Sequence, residues 1–317
     1  MGSDPSEEKL VIANCSGFLG DRFDAAMEMV TGGPIDVLTG DYLAELTMAI
    51  LFRQKLKDAS RGYAGSFLRQ MEAVMGLCLE RGIRVVSNAG GLNPRGLAAA
   101  LQALADKLGL KPVIAFVEGD DLLPRLDELQ AKGEPFTHLD KGISLAAAAA
   151  QPITANAYIG GWSVTEALAR GADIVVAGRL ADAALVTGPA AWRFGWSRHD
   201  WDRLAGAAVA GHIIECGGQA TGGNYPFIEE IPSYRRVGFP IAEIHADGSA
   251  VITKHPGTGG LVSVGTITAQ LLYEIQGPDY LTPDVTARFD TIRLAPDGPD
   301  RVRVSDVAGA PPPSTTK

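Results

Sequence analysis

Residues 10–21 read LVIANCSGFLGD: an apolar run closed by Asn14, a turn holding Gly17 and Gly20, then Asp21 ahead of a helical stretch. An apolar run that does not alternate with polar residues is the pattern of a strand buried on both faces, as parallel strands between helices are. The same unit recurs at Ile35–Asp41, Ile83–Arg95, Val113–Asp121, Ile153–Gly161, Ala172–Asp182 and His212–Asn224. In each, the polar residues collect just after the apolar run, which in an open α/β sheet is the edge where ligands bind. The expectation is an α/β fold with a mostly parallel sheet flanked by helices, Rossmann-like and three-layered. Its site would be built from many loops meeting at one rim.

Between these units Tyr42–Arg81 reads as helix, weakened near Ala59–Gly65 by Gly62 and Gly65. Lys132–Gln151, with its Ala146–Ala150 run, reads as a connecting arm in which Phe136–Asp140 is a short extended piece. After Gly223 the style changes. Phe239–His245 and Ala250–Lys254, joined by Asp247-Gly248, predict a hairpin. Leu261–Tyr273 predicts a helix, and Phe289–Leu294 and Arg301–Val304 predict strands. Residues 10–224 are thus expected to form the α/β core, and 225–307 an α+β continuation or small second lobe. Residues 1–9 are expected to be a disordered or appended tail and 308–317 a flexible one.

Composition narrows the function without choosing it. A 317-residue chain that is 46% hydrophobic can bury a sizeable core, which excludes disorder over most of its length. The net charge of -9, without a basic block, argues against nucleic acid and anionic membranes as partners. No run approaches the roughly 18 apolar residues that span a bilayer. Cys15, Cys78 and Cys216 form no CxxC pair, so a reduced, cytoplasmic protein is the simplest reading. The apolar stretches Leu43–Phe52 and Phe67–Leu79 exceed what one sheet face needs, which suggests a homo-oligomer.

The loops carry the candidate chemistry. Ser16–Asp21 offers backbone N–H groups at a helix start to an anion, but lacks GxGxxG. In Asn88–Arg95, Gly90 and Gly91 permit close approach to a ligand, Asn88 and Asn93 supply amides, and Arg95 a guanidinium fork. The alternative there is a turn with Asn93 capping a helix that starts at Pro94; against it, an Arg in the first helical turn opposes the dipole unless an anion is near. Asn156 and Tyr158 precede a Gly pair. Arg179 and Asp182 either pair with each other or divide the work, one on an anion and one as acid/base.

Glu215–Asn224 is the densest stretch, with Cys216, Gln219 and Asn224 among four glycines. Cys216 is more readily buried filler than nucleophile. On a presumed strand His212 would share its face but lie about 13 Å away. Glu215 is the better acid/base candidate, since burial would raise its pKa. In His255–Gly260, Thr258 reads as a cap and Gly259 as part of an anion cradle, while His255 either moves a proton or bonds a carbonyl. No zinc spacing is present; Asp21, Asp41, Asp120 and Asp121 at strand ends are compatible with magnesium, and no other cofactor is indicated. Glu215, Asp182 and His255 are the catalytic candidates.

In order, CSGFLGDR, TGDYLAE, SNAGGLNP, ANAYIGGWSVTEALARGADIVVAGRLADAAL, GHIIECGGQATGGNYPF and HPGTGGLVSVGTITAQLLYE with the trailing PDYLTPDV resemble the acyclic terpene utilisation AtuA family, over Leu10–Asp284. The resemblance implies an acyl-CoA-linked catabolic step and a small ferredoxin-like domain beyond this C-terminus, and it assigns no catalytic residue. The leading expectation is a catabolic enzyme acting on a CoA thioester by hydratase, lyase or thioester chemistry. Arg95 and Arg179 would hold anionic groups while Glu215 or Asp182 moves a proton. The alternatives are a non-catalytic acyl-CoA-binding or scaffolding subunit and, less favoured, a nucleotide-dependent oxidoreductase.

Overall fold

The computed structural model describes residues 8–148 and 151–315. The first half alternates strands and helices: β1 (Lys9–Asn14), α1 (Ala25–Thr31), β2 (Val37–Gly40), α2 (Glu45–Lys57), α3 (Gly65–Arg81), β3 (Arg84–Ser87), α4 (Pro94–Leu108), β4 (Ile114–Val117) and α5 (Leu126–Ala131). Then come α6 (Trp162–Ala169), β5 (Ile174–Ala177), α7 (Ala184–Phe194) and α8 (Trp201–Ile214). The last third holds β6 (Pro240–His245), β7 (Ala250–Lys254), α9 (Val264–Leu272), β8 (Asp279–Leu281), β9 (Thr286–Arg288), β10 (Arg293–Pro296), β11 (Val302–Ser305) and β12 (Ala308–Ala310).

Nine strands form one sheet in the order β10-β11-β7-β6-β1-β2-β3-β5-β4. From β1 to β4 the pairing is parallel; from β1 out to β10 every pair is antiparallel. The sheet is therefore mixed rather than mostly parallel, because the C-terminal hairpin β6–β7 docks on the free edge of β1 and extends the same layer. Ala308–Ala310, expected in a flexible tail, instead pairs as β12 with β9 in a small three-stranded sheet.

Neighbouring residues in the central strands feed opposite cores. Ile12, Val37, Val86 and Val175 pack with α6 to α9, while Ala13, Leu38, Val85 and Val176 pack with α1 to α4. Burial on both faces is why these runs are apolar without alternation, and it makes the expected three layers. Two of the seven sequence units are not strands. Ile153–Gly161 makes only isolated bridges, Asn156 to Asp121 and Ile159 to Leu180. His212–Ile214 belongs to α8, which is buried continuously from Leu204 to Ile214. A helix buried on all sides is as apolar as a central strand, so periodicity cannot separate them. Its small residues permit this depth: Gly211 faces the backbone of Ala183, where a Cβ would come within 2.8 Å.

Smaller differences have local causes. Phe289–Thr291 is a 3-10 turn and the strand begins only at Arg293. No strand forms at Phe136–Asp140, and residues 149–150 of the alanine run lie outside the described residues, as do 1–7. α9 is capped by Ser263 in a capping box with Thr266, not by Thr258, whose hydroxyl is spent on the His255 carbonyl at 2.7 Å. Among the described residues no helix is long and apolar enough to cross a membrane.

Candidate active site

β2, β3 and β5 are neighbours in the sheet, and the residues just past their carboxyl ends meet. Asp41 follows β2, Asn88 follows β3, and Arg179 and Asp182 follow β5. The Asn88 side-chain amide donates to Asp41 Oδ1 at 2.7 Å, and the Leu43 N–H donates to the same oxygen at 3.0 Å. Arg179 Nη1 donates to Asp182 Oδ1 at 2.9 Å and to the Leu43 carbonyl at 3.1 Å; Nη2 donates to the Tyr158 hydroxyl at 2.9 Å. The guanidinium also lies 4.4 Å from the Tyr158 ring centroid, and Tyr158 in turn donates to Glu45 at 2.9 Å. Three of the five guanidinium N–H groups of Arg179 are thus held by protein acceptors, Asp182 among them.

Glu215 enters from the opposite layer, at the end of α8. Its backbone is fixed by Asn14, the last residue of β1, whose amide donates to the carbonyls of Ile214 and Glu215, the latter at 2.9 Å. Gly17 lies against Cys216, where a Cβ would come within 2.5 Å of the Cys216 carbonyl carbon. Because His212 and Glu215 lie on a helix and not a strand, they share a face at i, i+3. His212 Nδ1 is 3.4 Å from Glu215 Oε1. The imidazole sits in a triangle of rings, 5.3 Å from Tyr280 and 5.7 Å from Phe289. Glu215 is 7% exposed, and its Oε2 is buried without a hydrogen-bond partner among the described residues.

Burial sets the electrostatics. It is the largest cause pushing Asp41 up to about 6, helped by the Glu215 charge and opposed by Asn88 and Arg179. Burial also pushes Asp182 well above the carboxylate range, with Asp41 adding and Arg179 opposing. Glu215 is raised in the same way, by burial and then by Asp182 and Glu274. Burial lowers His212, keeping it neutral. The Cys216 thiol is raised by burial and by Glu215 and Asp41, so it is no thiolate nucleophile near neutrality.

Other expected site residues are elsewhere or occupied. Arg95 answers the dipole argument with a protein anion: its guanidinium binds Glu118 at 2.9 and 3.3 Å and stacks on Phe116. Arg95→Ala is expected to leave turnover and the urea midpoint unchanged, because an exposed pair contributes little. Asn93 is the cap of α4, accepting from the Gly96 N–H at 2.9 Å. Gly90 and Gly91 admit protein rather than ligand, with Cβ positions 2.5 Å from the Ala177 carbonyl and 3.0 Å from the Gly62 carbonyl. Gly259 likewise packs on the Ser233 carbonyl, where a Cβ would come within 2.8 Å. His255 bonds the Met29 carbonyl at 3.0 Å and covers Gly32 and Gly33, so it pins α1 and does not join the carboxyl cluster.

Asn156 stands one layer behind. Its amide donates to Asp120 Oδ2, which also accepts the Arg179 N–H, each at 2.8 Å. Ser16 donates to the Phe18 carbonyl, and Asp21 accepts from the Gly17 and Arg22 N–H groups. Asn224 reaches Gln270 on α9 at 3.4 Å, and Gln219 lies in the 3-10 turn Gly217–Gln219 that follows α8. Asp21, Asp41, Asp120 and Asp121 do not converge on a cation: among the described residues no group of three or more His, Cys, Asp or Glu is placed to hold a metal ion. Two open grooves, of about 400 and 480 Å³, run past Asp202, Asp247 and Asp306 and past Gln54, Lys57 and Arg61, and neither is lined by the cluster.

Reading the sequence did not reach Asn14, the His212–Glu215 contact or Glu274. Asn14 had a signal, a polar residue closing an apolar run. Asn14→Ala leaves two buried carbonyls unpaired and is expected to cost about 1–3 kcal/mol, read from urea denaturation. Glu274 had none: it is held at φ 63 after α9, a conformation its sequence does not announce.

A three-layer α/β protein with desolvated carboxyl groups gathered at the carboxyl edge of its parallel strands is the class that fold and geometry define. A family model for acyclic terpene utilisation family protein AtuA matches residues 10–317, and the chain belongs to that family. No curated protein and no solved structure matches it.

Proposed function

We propose that this chain is a catabolic enzyme of acyclic terpene or branched-chain breakdown that moves protons at the Asp41–Asp182–Glu215 cluster. The observation that carries the reading is the burial of Asp41 and Glu215 near the Arg179–Asp182 pair, which favours the protonated form of these carboxyl groups. Carboxyl groups held protonated near neutrality can donate as general acids and return as bases, which is how buried Asp and Glu serve catalysis. Family membership supplies the metabolic setting. The substrate class we propose is a branched acyl-CoA, with hydration or a related lyase step as the reaction.

Arg179, Tyr158 and Asn88 hold the cluster in place, and Glu215 with Asp182 exchanges the proton. Incubating the protein with a panel of branched and unsaturated CoA esters and following mass tests this directly. A new product supports the proposal. Binding by calorimetry with no product from any ester would favour a non-catalytic acyl-CoA-binding subunit.

A further inference from the structure

The two ends of the nine-stranded sheet are finished differently. β10, at one end, carries Pro296, which has no N–H to offer, and Arg293, held 3.2 Å from Asp306. Proline and charge are common means of keeping an edge strand from recruiting another strand. β4, at the other end, reads Ile114-Ala-Phe-Val117 and has neither. It pairs with β5, in parallel, Ile114 beside Ile174 and Val117 beside Ala177. The Val85 N–H donates to the Asp173 carbonyl at 2.9 Å, so Asp173 and Val175 turn towards β3, and Ile174 and Val176 towards β4. The Ile174 N–H in turn reaches the Val113 carbonyl at 3.2 Å, which sets Val113, Ala115 and Val117 to bond β5. The N–H and C=O groups of Ile114 and Phe116 therefore face outward, and they have no partner among the described residues. Apolar side chains accompany them: Val113 is 53% and Phe116 38% exposed.

We infer that β4 is an interface on which a second copy of this chain lays its own β4, antiparallel, so that the two sheets continue across a two-fold axis. Backbone geometry also fixes the register. An axis normal to the sheet leaves each residue on its own face, and opposed residues in a ladder share a face, so opposed positions are both odd or both even. Centring the axis on Ala115 sets Ile114 opposite Phe116 of the second copy and pairs every outward N–H and C=O group of the strand. Centring it on Ile114 would set Phe116 opposite Pro112, which has no N–H. Centring it on Phe116 would carry Ile114 past the end of the strand, opposite Glu118. In the Ala115 register the Lys111 end of one strand also meets the Glu118 end of the other, so the charges flanking the strand are complementary.

The test joins sedimentation velocity on the full chain, up to the highest concentration at which it stays soluble, with cysteine cross-linking. The wild type is expected to sediment as a dimer. Phe116→Pro removes an outward N–H that β5 does not use, once from each copy. It is expected to raise the dissociation constant at least about tenfold with an unchanged circular dichroism spectrum. Cross-linking reads the register without removing a backbone donor. Ala115 meets itself across the axis as a non-hydrogen-bonded pair, with Cα atoms about 4.5 Å apart, a separation that a disulfide spans. Ala115→Cys is therefore expected to give a covalent dimer on mild oxidation. Val113→Cys is well exposed but lies opposite Val117, and is expected to give none. Cys15 and Cys78 are buried, and oxidised wild type reports any background. A wild type that stays monomeric, or a dimer that folded Phe116→Pro leaves unchanged, would overturn the inference. So would the absence of a covalent dimer from Ala115→Cys, or one formed as readily by Val113→Cys. If Phe116→Pro does not fold, the cross-linking pair decides alone.

Discussion

Glu215→Gln is expected to lower turnover by roughly 10²–10⁴-fold while making the folded protein more stable near neutral pH. Loss of activity follows from losing the proton. The gain in stability follows from linkage. A carboxyl whose folded pKa lies above its unfolded value keeps its proton in the folded chain over a pH window in which the unfolded chain has already lost it. Its contribution to stability is complete below the unfolded value and is lost as pH rises to the folded one. For Asp41 that window runs from 3.8 to about 6. Each pH unit of separation is worth about 1.4 kcal/mol. Glu215 is raised by the same cause, and a neutral amide of the same shape does not ionise. Urea denaturation should therefore place the variant above wild type at neutral pH and close to it in mild acid. Asp182→Asn should lose turnover similarly but gain less stability, since Asp182 also pairs with Arg179 at 2.9 Å.

Arg179→Met is the substitution expected to damage the fold most. It removes a buried cation that bridges β2 and β5 through the Leu43 carbonyl and Asp182, and it strips Tyr158 of its stacked partner. It leaves the Leu43 carbonyl and Asp182 without their donor, at about 1–3 kcal/mol for each buried acceptor left unpaired, and it removes the charge that opposes the raised state of Asp41 and Asp182. The carboxyl groups can escape by taking up protons, so the loss should be greatest at neutral pH and smaller in mild acid. Arg179→Lys keeps the charge but cannot reach three acceptors with one ammonium group, and should recover only part of the stability. A loss that did not vary with pH would mean that the carboxyl groups do not depend on this cation.

How far the sequence discloses this molecule depends on what each residue faces. Five of the seven apolar units are the parallel strands β1 to β5, legible because helices cover both sides and remove alternation. His212–Ile214 misleads for the same reason, since α8 is buried all round. The edge at which β6 docks is not legible: a good hairpin announces its turn, not the strand it will pair with. Within the site, Asp182, Arg179, Asp41, Asn88 and Glu215 are recognisable as polar residues after apolar runs. Their division of labour is not, because whether Arg179 meets Asp182 or a ligand is decided by Tyr158 and Leu43 from distant parts of the chain. Arg95 looked like an anion site because its partner Glu118 lies 23 residues away. His255 looked catalytic for want of any sign that Met29 needs a donor.

The measurement that bears most directly on the cluster is a titration of side-chain carboxyl groups by carbon-13 NMR, in the wild-type protein and in Asp182→Asn. Asp182 and Glu215 are expected to remain protonated after the exposed carboxyl groups have ionised. Glu215 should then titrate at lower pH once the neighbouring Asp182 charge is gone. If instead every Asp and Glu ionises in the ordinary acid range, and Glu215 is indifferent to Asp182, no proton is stored between these strands and the chemistry proposed for them cannot occur there.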